Sequence, residues 1–326
     1  MTSTKLIIHV GTSKTGTTSI QGFLNKNSGL LAEKGFCFVQ TGRKHIAHTP
    51  LHRRLREESA PEIWRQIQLE LAEKGAHTGI LSSEYFFSAA CAQGFSKYMP
   101  DALRQNTHVV AYIRRQDKYL ESAYKQLVKV GRILPDPNLF YEKNKDRYRY
   151  IEELRSHADA FGPASVHVRA YERNRLHHGD VVADFLKISG IPLDDAFNFE
   201  PTQSNRSLSA EATEIIGAIA RNTKMNARQI MREMLHSGDA ELLRSDDVYN
   251  REVRKTAMSY YEASNREICE EFNIGRSDLF DLSDLNGVDK EKPQITSRAE
   301  RLSHAYEAAL RAMERIQNSK RTQLYK

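Results

Sequence analysis

The chain has 326 residues, of which 40% are hydrophobic and 28% charged, so it can bury a large core and fold as one or two soluble globular domains. No stretch approaches the roughly 20 apolar residues of a membrane span, and Met1 to Lys5 run straight into the first expected strand, which leaves no room for a signal peptide. The net charge of +6 favours an anionic ligand but is too diffuse to indicate nucleic acid. Three widely spaced cysteines, Cys37, Cys91 and Cys269, form no CxxC pair, so neither a disulfide framework nor a zinc site is expected, and a cytoplasmic setting is the default.

In chain order, Lys5 to Val10 is an apolar run that reads as a buried strand, and Ile20, Phe23 and Leu24 set one face of a helix over 17–33. Between them lies His-Val-Gly-Thr-Ser-Lys-Thr-Gly-Thr-Thr-Ser, residues 9–19. Strand, glycine-bearing turn and helix start make a phosphate cradle. The alternative is an ordinary Ser/Thr-rich cap with an exposed lysine. The frame Gly11-x4-Gly16 fits a Walker A loop, but Thr17 stands where its lysine belongs, and Lys14 comes three positions early. Phe36 to Val39 is a second strand, followed by a polar segment over 40–57 that carries His45, His48 and His52. A helix follows over 60–75, in which Trp64 reads as a core or helix-packing residue, with a place lining an acceptor cleft as the alternative.

Thr78 to Ser82 is a third strand ending at Ser83-Glu84-Tyr85, and His108 to Ile113 a fourth, ending at Arg114-Arg115. A helix is expected over 117–130, a fifth strand at Val166 to Val168, and a helix over 179–189 closed by Gly190. Strands alternating with helices indicate an α/β fold with a parallel sheet flanked by helices. After about residue 205 only helical patterns remain (209–221, 248–273, 297–318), with a polar linker from Asp284 to Pro293 and a frayed tail from Asn318. The expected division is thus an α/β core over 1–205 and a helical extension over 206–326, acting as a cofactor-covering loop, lid or oligomer contact.

In a doubly wound sheet the ligand binds beyond the carboxyl ends of the strands. One cleft is therefore expected to receive the loop Gly11, Thr12, Ser13, Lys14, Thr15, Gly16, Thr17 and Thr18, the cation Arg114, and two candidate bases, Glu84 and His48. Arg114 followed eight residues later by Ser122 would grip a second phosphate by charge and hydroxyl. Taken alone, Arg114 or Arg115 paired to Asp117 explains that spacing equally well. Glu84 has its own alternative in a salt bridge to Arg114 or Lys14. His45, His48 and His52 have theirs as surface residues, since no carboxylate or cysteine nearby completes a metal site. Tyr148, Arg149 and Tyr150 mix aromatic and cation in a way that suits a sugar or aromatic acceptor.

Together these residues resemble the PAPS-dependent sulfotransferases of the carbohydrate type, over roughly residues 5–210. The family's phosphosulfate loop carries a central lysine followed by Gly-Thr, as Lys14-Thr15-Gly16-Thr17 does here. Its 3′-phosphate motif is an arginine after a strand and a serine eight residues on, trailed by a tyrosine, as Arg114, Ser122 and Tyr124 are here. A late nucleotide-wrapping loop corresponds to Asn205, Arg206 and Ser207, without the family's glycine. The resemblance implies a P-loop-like fold and metal-independent, in-line transfer of a sulfuryl group. The donor would be PAPS (3′-phosphoadenosine 5′-phosphosulfate) and the acceptor a hydroxyl of a carbohydrate or glycolipid. Lys14 would stabilise the leaving oxygen, and Glu84 or His48 would take the proton. A phosphosulfate carries one charge fewer on the transferring group than a triphosphate, which agrees with the missing Gly-Lys-Ser/Thr ending. The rival readings are an ATP-dependent small-molecule kinase and a non-catalytic nucleotide-binding module.

Overall fold

The computed structural model describes residues 4–129, 137–199, 208–223, 225–243, 249–286 and 298–324. Its elements run β1 (Lys5–Gly11), α1 (Thr17–Lys26), α2 (Ser28–Glu33), β2 (Phe36–Phe38), α3 (Leu51–Arg54), α4 (Ala60–Glu73), β3 (Thr78–Ser82), α5 (Ala89–Tyr98), α6 (Asp101–Arg104) and β4 (Thr107–Ile113). They continue with α7 (Gln116–Lys129), α8 (Pro137–Asn144), α9 (Ile151–Phe161), β5 (Val166–Ala170), α10 (Val181–Ser189), α11 (Ala210–Asn222), α12 (Ala227–His236), α13 (Arg251–Glu271), α14 (Ser283–Asn286) and α15 (Arg298–Leu324).

The five strands form one sheet in the order β2-β3-β1-β4-β5, every neighbouring pair parallel. This is the α/β class expected from the sequence. β1 is buried from Leu6 to Gly11, which is why it reads as an unbroken apolar run rather than an alternating one. The chain leaves β1 toward one edge and later crosses to the other side. The carboxyl ends of β1, β3 and β4 therefore meet at the topological switch point, where an α/β sheet takes its ligand.

Two differences from the sequence reading stand out. The helix expected over 17–33 breaks at Asn27, a buried residue. The Asn27 side-chain amide donates to the carbonyls of Phe23 and Asn198, both at 3.0 Å, and its Oδ1 accepts from the Asn198 N–H at 2.8 Å. The side chain thus ends one helix and pins a distant loop at the same point. Helices α5 and α9, which pack on each other, are absent from the sequence reading. Helix α5 carries a mid-helix glycine, Gly94, whose site admits no side chain because a Cβ there would lie 2.7 Å from the Leu55 carbonyl oxygen.

Trp64 is fully buried on α4 and meets Phe95 of α5 edge-on, with ring centroids 6.0 Å apart. It is a core residue. Trp64→Ala is expected to cost about 3–5 kcal/mol of stability, read as a lower urea midpoint at unchanged slope.

The chain forms two compact units, neither of them a single run of sequence. The first comprises Met1–Arg115, Arg147–Gln203 and Tyr260–Asp281; the second comprises Gln116–Asp146, Ser204–Ser259 and Leu282–Lys326. One boundary near residue 205 therefore does not describe the division. Helix α7 follows β4 directly yet belongs with α11, α12 and α15, and the chain returns to the first unit at Tyr260 within α13.

The first unit holds the sheet and a core that includes Ile7, Ile20, Phe23, Tyr112 and Phe185. The second has its own core, in which Ala305, Ala308, Ala309 and Ala312 of α15 lie against Ala212, Ile216, Ile230 and Met234 of α11 and α12. Small residues at helical spacing let the helices approach closely. Within this unit Arg254 donates to Asp117 at 2.9 Å and also to Glu121, all three buried. Asp117 is thus paired with an arginine 137 residues on. Helix α15 continues through Leu324, past the start of the expected frayed tail. No helix of the described residues is long and apolar enough to cross a membrane.

Candidate active site

The loop after β1 is held from beneath by the sheet. The Thr12 N–H donates to the Tyr112 carbonyl of β4 at 2.9 Å, and the Thr15 hydroxyl donates to the Thr12 carbonyl at 2.6 Å. Gly11 has no room for a side chain, since a Cβ would lie 2.9 Å from Thr15 Oγ1 and 3.0 Å from the Tyr112 carbonyl oxygen. Lys14 and Gly16 both take left-handed conformations, with φ of 68° and 76°. Residues in that region turn successive N–H groups toward one point, which makes an anion nest.

Gly16 caps α1 with no side-chain hydrogen bond, and the first turn of α1 holds no acidic residue. The Ser19 and Ile20 N–H groups donate to the Gly16 carbonyl at 2.9 and 3.1 Å, the N–H groups of Thr17 and Thr18 come before the first intrahelical bonds, and the helix dipole adds positive potential there. Thr18 and Ser19 are exposed, as is Lys14. Thr17 Oγ1 is buried without a hydrogen-bond partner. A closely packed turn, a helix whose own first turn carries no carboxylate and a buried hydroxyl without a hydrogen-bond partner fit a phosphate-like group. The residue at the first helical position is Thr17 rather than lysine, and the loop's cation stands at its rim.

Two neighbours bind this loop within the first unit. Ser13 donates from Oγ to Glu84 Oε2 at 3.1 Å. The Arg114 backbone N–H donates to Thr12 Oγ1 at 3.2 Å, and its Nη1 donates to the Lys14 carbonyl at 3.2 Å. Arg114 is fixed in turn through its own carbonyl, which accepts from the Tyr150 hydroxyl at 2.9 Å. Tyr150 is therefore a buried brace for Arg114 and not part of an exposed aromatic surface. Arg149 sits over the Tyr260 ring, 5.3 Å from its centroid. Loop, Glu84 and Arg114 thus form one bonded constellation, reached from the ends of β1, β3 and β4.

Burial pushes the Glu84 carboxyl above the ordinary carboxylate range. The Ser13 hydroxyl, the nearby Thr17 hydroxyl and the Lys14 charge oppose that shift. Thr17 acts by proximity, because its hydroxyl does not reach hydrogen-bond geometry.

His48, the second candidate base, has a different place. It is fully buried, and both ring nitrogens are used: Nε2 donates to the Val39 carbonyl at 2.8 Å, and Nδ1 accepts from the Ser82 N–H at 3.1 Å. Burial lowers its pKa to about 4, so it is neutral at physiological pH. A histidine with no spare nitrogen takes no proton from a substrate. It instead stitches the segment after β2 to the end of β3, helped by its own N–H, which donates to the Ser82 carbonyl at 2.9 Å. Ser82 continues this buried network, with Oγ 2.7 Å from His9 Nδ1 and accepting from Gln21 Nε2 at 3.0 Å. Sequence spacing alone carried no sign of this network, because its members come from β1, α1, β3 and the segment after β2. Among the described residues no group of three or more His, Cys, Asp or Glu is arranged to hold a metal ion.

Ser122 is half-buried on α7 and belongs to the second unit, whereas Arg114 belongs to the first. Asn205, Arg206 and Ser207 lie outside the described residues.

No family model matches the chain. An uncharacterised protein of Archaeoglobus fulgidus is 30% identical over 181 residues, which are 54% of this chain and 48% of that protein. The chain thus spans about half the length of the curated relative it matches. Among solved structures, a sulfotransferase from Alicyclobacillus acidocaldarius is similar with a TM-score of 0.38 and 18% identity, the match covering 69% of this chain and 94% of that one. A sulfotransferase domain from the curacin biosynthetic pathway is similar with a TM-score of 0.38 and 13% identity, covering 79% of this chain and 97% of that one.

Proposed function

We propose that the chain is a sulfotransferase that moves the sulfuryl group of PAPS to a hydroxyl acceptor, in the reading a carbohydrate or glycolipid. The observation that carries this reading is the bonded constellation itself. A phosphate-shaped loop, a carboxyl at the end of β3 and an arginine at the end of β4 are tied together by Ser13–Glu84 and Arg114–Lys14 hydrogen bonds. The loop at 11–19 holds the 5′-phosphosulfate, and Arg114 supplies the charge for the 3′-phosphate.

In the reaction the acceptor oxygen attacks sulfur as its proton passes to Glu84. The new O–S bond forms while the bond from sulfur to the 5′-phosphate oxygen breaks. The products are the sulfated acceptor and adenosine 3′,5′-bisphosphate (PAP). Lys14, an exposed point charge at the loop rim, meets the negative charge growing on the leaving phosphate oxygen. Glu84 suits the base because desolvation has raised its proton affinity while neighbouring hydroxyls and Lys14 keep it from rising without limit.

A kinase reading is less well supported, because the residue that opens α1 is Thr17 and not the lysine that reaches a β/γ-phosphate pair. The test is transfer of radiolabelled sulfate from PAPS to a mixed pool of hydroxyl acceptors, with EDTA present. Transfer is expected. Phosphoryl transfer from ATP with magnesium, in a preparation inert toward PAPS, would overturn the reading.

Gly16→Val probes the loop. A Cβ at Gly16 would lie 2.8 Å from Val181 Cγ1 and 3.0 Å from Tyr171 Cε2. The positive φ adds about 1–2 kcal/mol for an L side chain. The expected outcome is loss of the thermal stabilisation given by PAP, in a protein that keeps its helical circular dichroism.

A further inference from the structure

We propose that the exposed face of Tyr85, backed by His52, is the acceptor subsite and takes the pyranose ring of a saccharide; this rests on the sulfuryl-transfer reading and assigns its unread side. The argument starts from the short 3₁₀ turn over Glu84–Phe86. Such a turn has three residues per turn, so its side chains leave in three directions. Glu84 meets the phosphate loop through Ser13. Phe86 is fully buried and packs edge-on against Phe95, with centroids 5.5 Å apart. Tyr85 points to solvent, 58% exposed, next in sequence to the proposed base.

The Tyr85 ring is not loose. His52 stacks on it, with centroids 4.9 Å apart and planes 30° from parallel. The Tyr85 carbonyl accepts from the Cys91 thiol, and its N–H donates to Ser83 Oγ. His52 is itself oriented, since its Nδ1 donates to the Thr49 carbonyl at 2.6 Å. In a neutral imidazole with its proton on Nδ1, Nε2 is an acceptor. The segment that carries His52 is pinned to the end of β3 by His48. One aromatic face is therefore covered and braced, the other is open, and the covering ring carries a hydrogen-bond acceptor.

This combination matches a sugar ring. The negative face of an aromatic attracts the slightly positive axial C–H bonds of a pyranose, while Nε2 accepts from a ring hydroxyl. A phenol would stack on the same face, but small aromatic ligands are usually enclosed by apolar walls. Here the surroundings are polar, with Arg53, Arg54 and Arg56 exposed on and just after the helix that carries His52, and Glu57 and Glu58 exposed directly after them. The cations outnumber the carboxylates, which favours a saccharide with acidic substituents.

The experiment uses the full chain loaded with PAP on a glycan array of neutral and uronate-containing oligosaccharides, with thermal stabilisation by PAP measured in parallel. Wild type is expected to bind, uronate-bearing spots above neutral ones. Tyr85→Ala should lose about tenfold in apparent affinity, and Tyr85→Phe, which keeps the π face, should retain it. Stabilisation by PAP should be the same in all three proteins. If PAP stabilises wild type but no glycan is bound, or if Tyr85→Ala binds glycans as wild type does, the subsite is refuted and the donor reading stands. Competition by simple phenols in preference to saccharides also overturns it. If PAP stabilises none of the proteins, the donor reading falls and takes the subsite with it.

Discussion

Lys14→Ala is expected to lower turnover by about 10²- to 10³-fold, the usual effect of removing one electrostatic stabiliser of a developing oxyanion. The side chain stands exposed at the rim of a loop whose other donors are neutral N–H groups and hydroxyls. It is the loop's one cationic side chain. Its backbone role survives the substitution, because the Lys14 carbonyl still accepts from Arg114. The loss should therefore fall on kcat at saturating donor, with binding of PAP weakened much less than turnover. Lys14→Arg should recover part of the rate, since it restores charge without matching the point geometry of an ammonium. Steady-state assay of the three proteins decides the matter. Near-normal kcat in Lys14→Ala would remove Lys14 from the mechanism.

Glu84→Gln is expected to cost about 10²- to 10⁴-fold in kcat/KM, the range for loss of a general base. Glutamine keeps an oxygen that can accept from Ser13, so the loop contact survives while the proton acceptor is lost. Wild-type activity should also depend on pH in a specific direction. The base works only when ionised, so kcat/KM should fall as pH drops through the Glu84 pKa. That fall should lie above the ordinary carboxylate range, because burial raises the group. Ser13→Ala deletes a hydrogen bond that lowers it, and should move the acid limb to still higher pH. A pH–rate profile with no acid limb in this region, or a Gln variant of wild-type activity, would rule Glu84 out as base.

The fold was legible because its central strands are buried on both faces. Leu6 to Val10 is apolar but for His9, Val109 to Ile113 is apolar throughout, and the sheet follows from the alternation of such runs with helices. Helix α10 was equally plain, closing at Gly190, which takes the left-handed conformation expected of a helix stop. Less visible were features decided by partners far away in sequence. Asn27 breaks a helix through Asn198, 171 residues on. His48 resembled a surface histidine in a polar stretch, and only its contacts with Val39 and Ser82 reveal a buried structural role. The interleaving of the two units has the same origin, since the partners of α7 come from the last third of the chain. The site's parts were nameable from motif spacing. The hydrogen bonds that join Glu84 and Arg114 to the loop were not, because three strand ends must first converge.

The most direct measurement is the change in melting temperature of the full chain with PAP, set against ATP with magnesium and against AMP, which lacks the 3′-phosphate. A clear rise is expected with PAP, a much smaller one with AMP, little with ATP and magnesium, and loss of the PAP-over-AMP difference in Arg114→Ala. A rise with ATP and magnesium but none with PAP would contradict the sulfuryl-transfer reading.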